Sequence, residues 1–212
     1  MKYIIMCGGN YRLWDKPRQL TEVKGEPIVV RTIRLLRENG VQDIAVSCTN
    51  SLFEQFGVPL LVHDNQFTEN EGVEKGYWVD AFYPMEEPAC YIFGDVVFSG
   101  KAIRTIIETE TDDIELFASS PPFAKNYTKN WAEPFAFKVV NQKHLETAIR
   151  LVKAFERAGA FKRHPIAWEL WQVIKRTKLN TVIYSNYTTI NDYTCDIDKP
   201  EDAHKIEVAM DE

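Results

Sequence analysis

Short apolar segments alternate with segments of helical period along this chain, and this order constrains its fold more than any other feature. The first apolar segment predicts a strand at Lys2 to Met6, and a helix follows that begins at Pro27 and stops at Asn39-Gly40. Further strands are predicted at Asp43 to Cys48, Pro59 to His63, Ala89 to Phe93, Ile114 to Ala118, Phe135 to Val140 and Thr181 to Tyr184. Further helices are predicted at Gly72 to Phe82, Lys101 to Ile107, Gln142 to Arg157, Ala167 to Lys175 and from Pro200 onward. Because strands alternate with helices, we expect a three-layer α/β fold with a mostly parallel sheet, whose ligands gather at the carboxyl ends of the strands.

Length and composition favour one domain without membrane attachment. The chain has 212 residues, of which 45% are hydrophobic, and this is enough for one core, so we expect a single domain over residues 1–212. Its apolar stretches are far shorter than the roughly 20 residues of a membrane span, and the first strand is not preceded by a signal-peptide pattern. The four cysteines lack the close spacing of zinc or redox sites and are interpreted as reduced core residues. We therefore expect a cytoplasmic protein.

Charge is spread unevenly along the chain. The net charge of −6 argues against general nucleic-acid binding, yet residues 1–40 hold eight Lys or Arg against four acids, which leaves about −10 on the rest. A basic segment in an acidic protein is typical of a local polyanion site, such as one for a triphosphate. Exposed helix charges are the alternative interpretation, and they are expected to account for Arg34 and Arg37.

A glycine turn follows the first predicted strand. Gly8-Gly9 allows the backbone to bend sharply and to bring its N–H groups close to phosphate oxygens, while Arg12 and Arg18 add positive charge to the same loop. A strand, a glycine turn, arginines and then a helix form an order typical of phosphate binding. An ordinary turn is the alternative for the two glycines.

Carboxylates follow two other segments. Asp95 ends a predicted buried strand, directly after Gly94, which leaves space for a ligand. Asp196 and Asp198 lie two residues apart and project to one side if their segment is extended. Carboxylate oxygens at a strand end suit a hard cation such as Mg²⁺ that faces bound phosphates. A turn or helix cap is the alternative for Asp95, and a cap before Pro200 is the alternative for Asp198.

These segments resemble the sugar-nucleotidyltransferase-like superfamily, which includes sugar-1-phosphate nucleotidyltransferases, phosphocholine cytidylyltransferases and molybdenum-cofactor guanylyltransferases. Its signature is an apolar strand, Gly-Gly-x-Gly-x-Arg, a spacer, Pro-Lys-x-Leu, and Gly-x-Pro entering a helix. The chain matches this signature at Gly8, Gly9, Arg12, Pro17, Leu20, Gly25 and Pro27. It departs from the signature in two places: the glycine loop is one residue shorter and lacks the third glycine, and Arg18 stands where the family has lysine. The resemblance implies a Rossmann-like nucleotidyltransferase fold with a mostly parallel mixed sheet.

The resemblance also implies a reaction, in which a nucleotidyl group passes from a nucleoside triphosphate to a phosphorylated small-molecule acceptor with release of pyrophosphate. Arg18 would act at the reacting phosphates, Arg12 on the outgoing phosphates, and Asp95 as the third catalytic residue. Asp95 and Asp198 would hold Mg²⁺, with Asp196 assisting. The compact size and the Asp-Ile-Asp segment are most similar to the small phosphocholine-type cytidylyltransferases, which favours CTP as the triphosphate.

Substrate contacts are predicted in three regions. The expected nucleotide-binding residues are Cys7, Gly8, Gly9, Asn10, Arg12, Asn70 and Glu71. Acceptor binding is assigned to Lys129, Trp131 and Glu133, because aromatic rings with a carboxylate can hold a cationic group. Trp168 and Trp171 are further candidates for this cage, although core packing is expected to account for at least two of the rings.

Two functions of other classes stay open. A GT-A-like glycosyltransferase, which uses a nucleotide sugar, often binds metal through an Asp-x-Asp pair, as Asp196 and Asp198 would do. A noncatalytic nucleotide-binding module would agree with the shortened glycine loop and with Arg18. The oligomeric state is open as well, a homodimer being one alternative.

Overall fold

The structure is a computed structural model that describes residues 1–9, 14–63, 68–70, 73–120 and 131–210, with the backbone alone described at 68–70 and 73–75. Its strands are β1 (Lys2–Met6), β2 (Glu22–Val23), β3 (Glu26–Pro27), β4 (Ile44–Ser47), β5 (Leu60–Leu61), β6 (Thr68–Asn70), β7 (Val73–Lys75), β8 (Ala89–Phe93), β9 (Val96–Val97), β10 (Ile114–Ala118), β11 (Pro134–Val139), β12 (Thr188–Thr189) and β13 (Cys195–Asp196). Its helices are α1 (Ile28–Glu38), α2 (Gly100–Glu108), α3 (Gln142–Arg157), α4 (Ala167–Ile174) and α5 (Asp202–Met210). Short 3₁₀ turns lie at Arg18–Leu20, Ser51–Phe56 and Trp78–Ala81.

Seven strands form one mixed sheet in the order β12-β10-β11-β8-β1-β4-β5. β1 lies between β8 and β4 and runs parallel to both, while β11 runs antiparallel to β8 and β10. The outer pairs, β4 with β5 and β10 with β12, are parallel. Helices flank this sheet, α1 contacting α2 and α3 contacting α4. The predicted three-layer α/β fold with a mostly parallel sheet is confirmed.

The central strands and the first helix form where local sequence pattern predicts them. β1 and β8 are almost continuously buried, as apolar segments covered on both faces of a sheet should be. α1 begins after Pro27 and buries an apolar stripe that includes Ile28 and Leu36. It ends where the side-chain amide of Asn39 donates to the Leu35 carbonyl at 2.8 Å. This strand, turn and helix place the segment after β1 at the edge of the sheet.

Two arginines of the basic N-terminal segment lie on α1 and have structural partners there and in neighbouring segments. Arg34 pairs with Glu26 at 2.7 Å and with Glu38 at 2.9 Å, and Arg37 donates to the Gly57 carbonyl at 3.1 Å. The hydrogen bond from Arg34 is the main cause that lowers the pKa of the Glu26 carboxyl below its usual value. The interpretation of Arg34 and Arg37 as helix surface charges is therefore confirmed.

A two-stranded sheet joins segments about a hundred residues apart, because β9 pairs antiparallel with β13. Next to this pair, the Ser99 N–H donates to Thr194 Oγ1 at 3.0 Å. The buried Arg31 on α1 braces both segments: its Nε donates to the Phe98 carbonyl at 3.1 Å and its Nη2 to the Tyr193 hydroxyl at 2.9 Å. Arg31 thereby ties α1 to the two segments that carry the predicted metal ligands.

The helix predicted from Gly72 to Phe82 is wrong. The described part of this segment holds β7 and the 3₁₀ turn Trp78–Ala81 instead. Val79 and Phe82 are both buried and lie three residues apart, which is the repeat of a 3₁₀ turn as well as one spacing of an α-helix. The apolar spacing that predicted a helix is therefore buried as expected, but the segment forms a shorter 3₁₀ turn.

The strand predicted at Thr181 to Tyr184 is also wrong. This segment is irregular, and Tyr184 packs edge-on against the ring of Trp168 with centroids 4.8 Å apart. Tyr184 thus packs against α4, and the segment does not pair in the sheet. β12 forms a few residues later and pairs with β10.

The four cysteines are buried, as the sequence predicts, and none of them forms a disulfide. In the part of the chain that the structure describes, none of the helices combines the length and the apolar composition needed to span a bilayer.

We expect Arg31→Met to lower the free energy of unfolding by about 2 kcal/mol, because the Phe98 carbonyl and the Tyr193 hydroxyl lose a charged donor. Methionine retains an aliphatic stem, so the change reports mainly the hydrogen bonds. Urea unfolding followed by circular dichroism measures the loss. Arg104→Met, on the exposed face of α2, is the control and should change stability by less than about 0.5 kcal/mol. Equal losses in the two variants would contradict the bracing role of Arg31.

Candidate functional site

The carboxyl ends of β1, β4 and β8 meet at one edge of the sheet. Met6 pairs with Ser47 on one side and with Phe93 on the other, so the segments that follow these three strands start side by side. Parallel strands place ligand-binding segments at this edge. The predicted glycine turn and Asp95 are therefore neighbours in space.

Two glycines shape the backbone at this edge. Gly9 has a φ of +95°, in the left-handed region that favours glycine. The Gly94 N–H donates to the Met6 carbonyl at 3.0 Å, and a Cβ at Gly94 would lie 2.5 Å from that oxygen and 2.7 Å from Cys7 Sγ. The contact leaves no space for a side chain, and it holds the Gly94-Asp95 turn against the end of β1.

Arg18 is at the centre of a charge cluster at this edge. Its side chain is 10% exposed, its Nη2 forms an ion pair with Asp95, and its Nη1 lies 3.6 Å from Asp198 Oδ1. Nη1 also donates to the Ile197 carbonyl at 3.2 Å. The structure thus brings the predicted metal ligands Asp95 and Asp198 together around the predicted catalytic arginine.

Backbone hydrogen bonds fix the C-terminal carboxylates beside Asp95. Asp196 lies opposite Val96 in the pairing of β13 with β9, and the Ile197 N–H donates to the Asp95 carbonyl at 2.9 Å. These bonds align the backbone of the Asp-Ile-Asp segment with the backbone of the Gly94-Asp95 turn. Asp196 therefore lines the same cavity as Asp95.

Asp202 supports the turn that presents Asp198. Its carboxylate accepts the backbone N–H of Asp198 at 3.2 Å and that of Lys199 at 2.9 Å, and it pairs with Lys205 at 2.8 Å. An acid in the first turn of α5 is the expected complement to a helix start. Asp202 thus has a structural role, while the side chain of Asp198 faces Arg18.

Two adjoining cavities open at the edge and share a wall formed by Gly8, Gly9 and Arg18. The first cavity, of about 170 Å³, has an apolar side that includes Trp78 and Phe93, whose rings meet edge-on at 5.6 Å. Its acidic lining residues are Asp95, Glu133 and Asp196. The second cavity, of about 360 Å³, is lined by residues 14–18 and 48–50, by Cys7 and by His63.

Glu133 is the predicted acceptor residue that reaches the first cavity. Its backbone N–H donates to Ser119 Oγ at 2.8 Å, and its carboxylate accepts the indole N–H of Trp131. Trp131 is 46% exposed and is not among the residues that line the first cavity. The structure places the two predicted acceptor residues in contact, and their role in acceptor binding stays a prediction.

Trp168 and Trp171 belong to the core. Both are 1% exposed, and their indole N–H groups donate to the carbonyls of Ala132 at 2.9 Å and Ser185 at 3.0 Å. Core packing therefore accounts for both rings, as one of the two interpretations predicted.

The thiols at the second cavity are poor nucleophiles. Burial is the main cause that raises the pKa of the Cys7 thiol well above its usual value, with Cys48 and Asp95 adding to the shift. Burial likewise raises the pKa of the Cys48 thiol. Both groups stay protonated at neutral pH, so neither supplies a thiolate for covalent catalysis.

The donor set fits a magnesium ion that shares its ligands with a substrate. Among the described residues, no group of three or more His, Cys, Asp or Glu side chains could hold a metal ion, so Asp196 does not join Asp95 and Asp198 in a three-carboxylate group. Asp95 and Asp198 offer hard carboxylate oxygens that both contact Arg18 beside the glycine turn. Mg²⁺ is commonly held by one or two carboxylates together with substrate phosphates and water, which this pair can provide.

The remaining predicted residues are less well defined. Asn10, Arg12, Glu71 and Lys129 lie outside the described residues, and Asn70 is described only as the end of β6 in its pairing with β7. The sequence interpretation did not select three groups that line the cavities: Trp78, Asn50 and His63. The position of Asn50 and His63 after β4 and β5, at the ligand-binding edge, was a usable signal for them.

We expect Gly94→Ala to lower the free energy of unfolding by about 1–3 kcal/mol, because the new Cβ meets backbone that cannot swing away. Thermal or urea unfolding measures the loss. Gly100→Ala is the matched control: its Cβ would meet nothing closer than 3.8 Å, and alanine favours the first turn of α2. The close packing of Gly94 on β1 would be contradicted if both variants were as stable as the parent.

Comparison with solved structures identifies the fold. A protein from Bacillus anthracis described as a glucose-1-phosphate thymidylyltransferase, in complex with a sucrose, is 14% identical with a TM-score of 0.58, over 98% of this chain and 94% of that chain. CTP:phosphocholine cytidylyltransferase from Streptococcus pneumoniae is 15% identical with a TM-score of 0.53, over 99% and 98%. The inositol-1-phosphate CTP transferase from T. maritima is 16% identical with a TM-score of 0.56, over 98% and 96%. No family model matches the chain. The chain therefore has the sugar-nucleotidyltransferase-like fold that its sequence resemblance predicts.

Proposed function

We propose that this protein is a nucleotidyltransferase that joins the α-phosphate of a nucleoside triphosphate to a phosphorylated small-molecule acceptor and releases pyrophosphate. One observation carries the proposal: Gly8-Gly9 and Arg18 line two adjoining cavities at once, and Arg18 forms ion pairs with Asp95, which lines the first cavity, and with Asp198. Transfer between two bound phosphates requires two neighbouring sites that meet at a fixed positive charge.

The similar structures support this reaction class. Their names describe a thymidylyltransferase and two enzymes that use CTP, and the compounds named with them are glucose-1-phosphate, phosphocholine and inositol-1-phosphate. All three compounds carry a phosphate, as the proposed acceptor does. Two of the three names specify CTP, which supports CTP as the proposed triphosphate. The buried cysteines without disulfides support the proposed cytoplasmic location.

We assign the triphosphate to the second cavity and the acceptor to the first. The second cavity adjoins the glycine turn and contains Lys16 and Asn50, which suit phosphate and base contacts. The first has an apolar side and the carboxylate of Glu133, which suit the organic part of an acceptor, including a cationic group. The sequence adds Asn10, Arg12, Asn70 and Glu71 to the proposed nucleotide contacts, and Lys129 and Trp131 to the acceptor contacts.

The proposed chemistry needs no protein nucleophile, because an acceptor phosphate oxygen attacks the α-phosphorus in line with the departing pyrophosphate. The protonated thiols at the site agree with this route. Arg18 would donate to the reacting phosphate oxygens and offset the charge that develops on them, while Arg12 would hold the outgoing phosphates. The N–H groups of Gly8-Gly9 would hold the triphosphate.

Asp95 and Asp198 would hold Mg²⁺ in the proposed enzyme, and the sequence adds Asp196 as an assisting residue that lines the neighbouring cavity. When bound, the ion would offset negative charge on the phosphates. Asp95 would be the main ligand of the ion, because its backbone is held on both sides, by the Gly94 turn and by the hydrogen bond from Ile197.

Pyrophosphate release is the direct test of the proposed reaction. CTP, UTP, GTP, ATP and dTTP are each combined with phosphocholine, aminoethylphosphonate, sugar 1-phosphates and amino-acid phosphates in Mg²⁺. We expect release with CTP above the other triphosphates, and none in excess chelator. We expect Asp95→Asn to lower kcat by about 10²-fold or more, because a hard anionic ligand is lost. Asp112→Asn, an exposed acid away from the edge, is the control.

Each alternative function has its own outcome in this test. A glycosyltransferase would consume a nucleotide sugar and release a nucleoside diphosphate without pyrophosphate. A binding module would take up triphosphate and turn nothing over. Release with GTP or dTTP at more than tenfold the rate with CTP would overturn the choice of base and leave the reaction class intact.

Substitution of Arg18 tests its proposed place at the reacting phosphates. We expect Arg18→Ala to lower kcat by about 10²–10³-fold, and to weaken triphosphate binding by a smaller factor, because the guanidinium acts mainly on charge that develops during transfer. Arg18→Lys should retain part of the rate, since the charge stays while the two-pronged contact is lost. Steady-state kinetics and a separate binding titration distinguish the two effects. Near-normal turnover of Arg18→Ala would show that the residue has no part in the reaction.

A further inference from the structure

Arg18 occupies the place where a cation would meet the two carboxylates. One guanidinium nitrogen is on Asp95, and another lies 3.6 Å from Asp198 while it donates to the Ile197 carbonyl at 3.2 Å. With the Arg18 side chain 10% exposed and that of Asp95 18% exposed, water screens this contact less than a surface ion pair. The arginine is therefore an internal cation on the proposed metal ligands.

We infer that Arg18 and a divalent cation compete for Asp95 and Asp198, so that the arginine holds the metal site closed to free metal ions. The inference rests on the proposed function, because that function assigns the metal to these carboxylates. It assigns Arg18 a second task, which is to control when the metal enters.

Electrostatics makes shared occupancy costly. A divalent ion on the carboxylates that the guanidinium contacts would lie within a few ångströms of a positive charge, and like charges at this separation repel strongly where water screens them poorly. Arginine keeps its charge at all physiological pH values, so it cannot relieve this repulsion by losing a proton. The guanidinium must leave Asp95 for the metal to bind well.

A bound triphosphate would offer the guanidinium other oxygens to bind in place of the carboxylates. Arg18 lines both cavities, so phosphate oxygens in either of them are within the region that its side chain can reach. Guanidinium binds phosphate oxygens with two parallel hydrogen bonds, which replace those lost at the carboxylates. The same movement places Arg18 on the reacting phosphates and frees Asp95 and Asp198.

Direct titration with Mn²⁺, in the absence of nucleotide, tests the competition. Binding is followed by electron paramagnetic resonance and by calorimetry on the full chain and on Arg18→Gln, Arg18→Lys and Arg34→Gln. We expect Arg18→Gln to bind Mn²⁺ at least about tenfold more tightly than the parent, because a nearby positive charge is removed. Arg18→Lys should bind it with intermediate affinity, since one ammonium cannot reach both carboxylates as the guanidinium does.

Arg34→Gln is the matched control. Arg34 also contacts two carboxylates, those of Glu26 and Glu38, but on the outer face of α1. Its loss removes the same charge from the protein and should leave Mn²⁺ affinity unchanged. Adding Asp95→Asn to Arg18→Gln should abolish the gain, which locates the tight site at Asp95. Circular dichroism melts establish whether each variant is folded. If Arg18→Gln does not fold, Arg18→Lys still tests the competition.

Failure of this inference is separable from failure of the proposed function. Mn²⁺ affinities of the two Arg18 variants within twofold of the parent, or weaker, would overturn the competition, while pyrophosphate release by the parent would still stand. A gain that survives Asp95→Asn would overturn it as well, because the ion would then lie elsewhere. No Mn²⁺ binding by any variant, together with no pyrophosphate release, would overturn both.

Discussion

Two residue pairs, Val97 with Cys195 and Val96 with Asp196, hold together the parts of the chain on which the site depends. This short pairing continues into the bond from the Ile197 N–H to the Asp95 carbonyl at 2.9 Å. Hydrogen bonds from Arg31 on α1, and from Ser99 directly before α2, connect to the same two segments. Without this pairing, the two segments that bear the carboxylates would not be held side by side, because they lie far apart in the sequence.

Charge balance is a second constraint on this edge of the sheet. Asp95, Asp196 and Glu133 line one small cavity, where negative charges disfavour one another unless a cation offsets them. A largely buried ion pair adds little net stability, because the cost of desolvation offsets much of the attraction. The value of Arg18 therefore lies in its position. The backbone of the turn that carries it is held by a hydrogen bond from the Leu20 N–H to the Pro17 carbonyl at 2.9 Å.

Local sequence pattern predicts the fold wherever one segment decides its own structure. β1 and α1 follow from a continuous apolar run and from a helical period with clear ends, but the segment around Val79 has a spacing that two kinds of helix share. The glycine turn and Asp95 were predictable for the same local reason, since both directly follow buried strands. The ion pair between Arg18 and Asp95 was not predictable. It depends on packing between segments that are far apart in the sequence, and no local pattern reports such a contact.

The spread of the site along the chain also determines when it can exist during synthesis. The glycine turn and Arg18 leave the ribosome first, Asp95 follows much later, and the segment around Asp198 comes last of all. Until that segment arrives, β9 has no partner and the carboxylate set is incomplete. A nascent chain that has not yet reached this segment therefore lacks the assembled site, so the charge cluster requires that the segment around Asp198 has been made and has paired with β9.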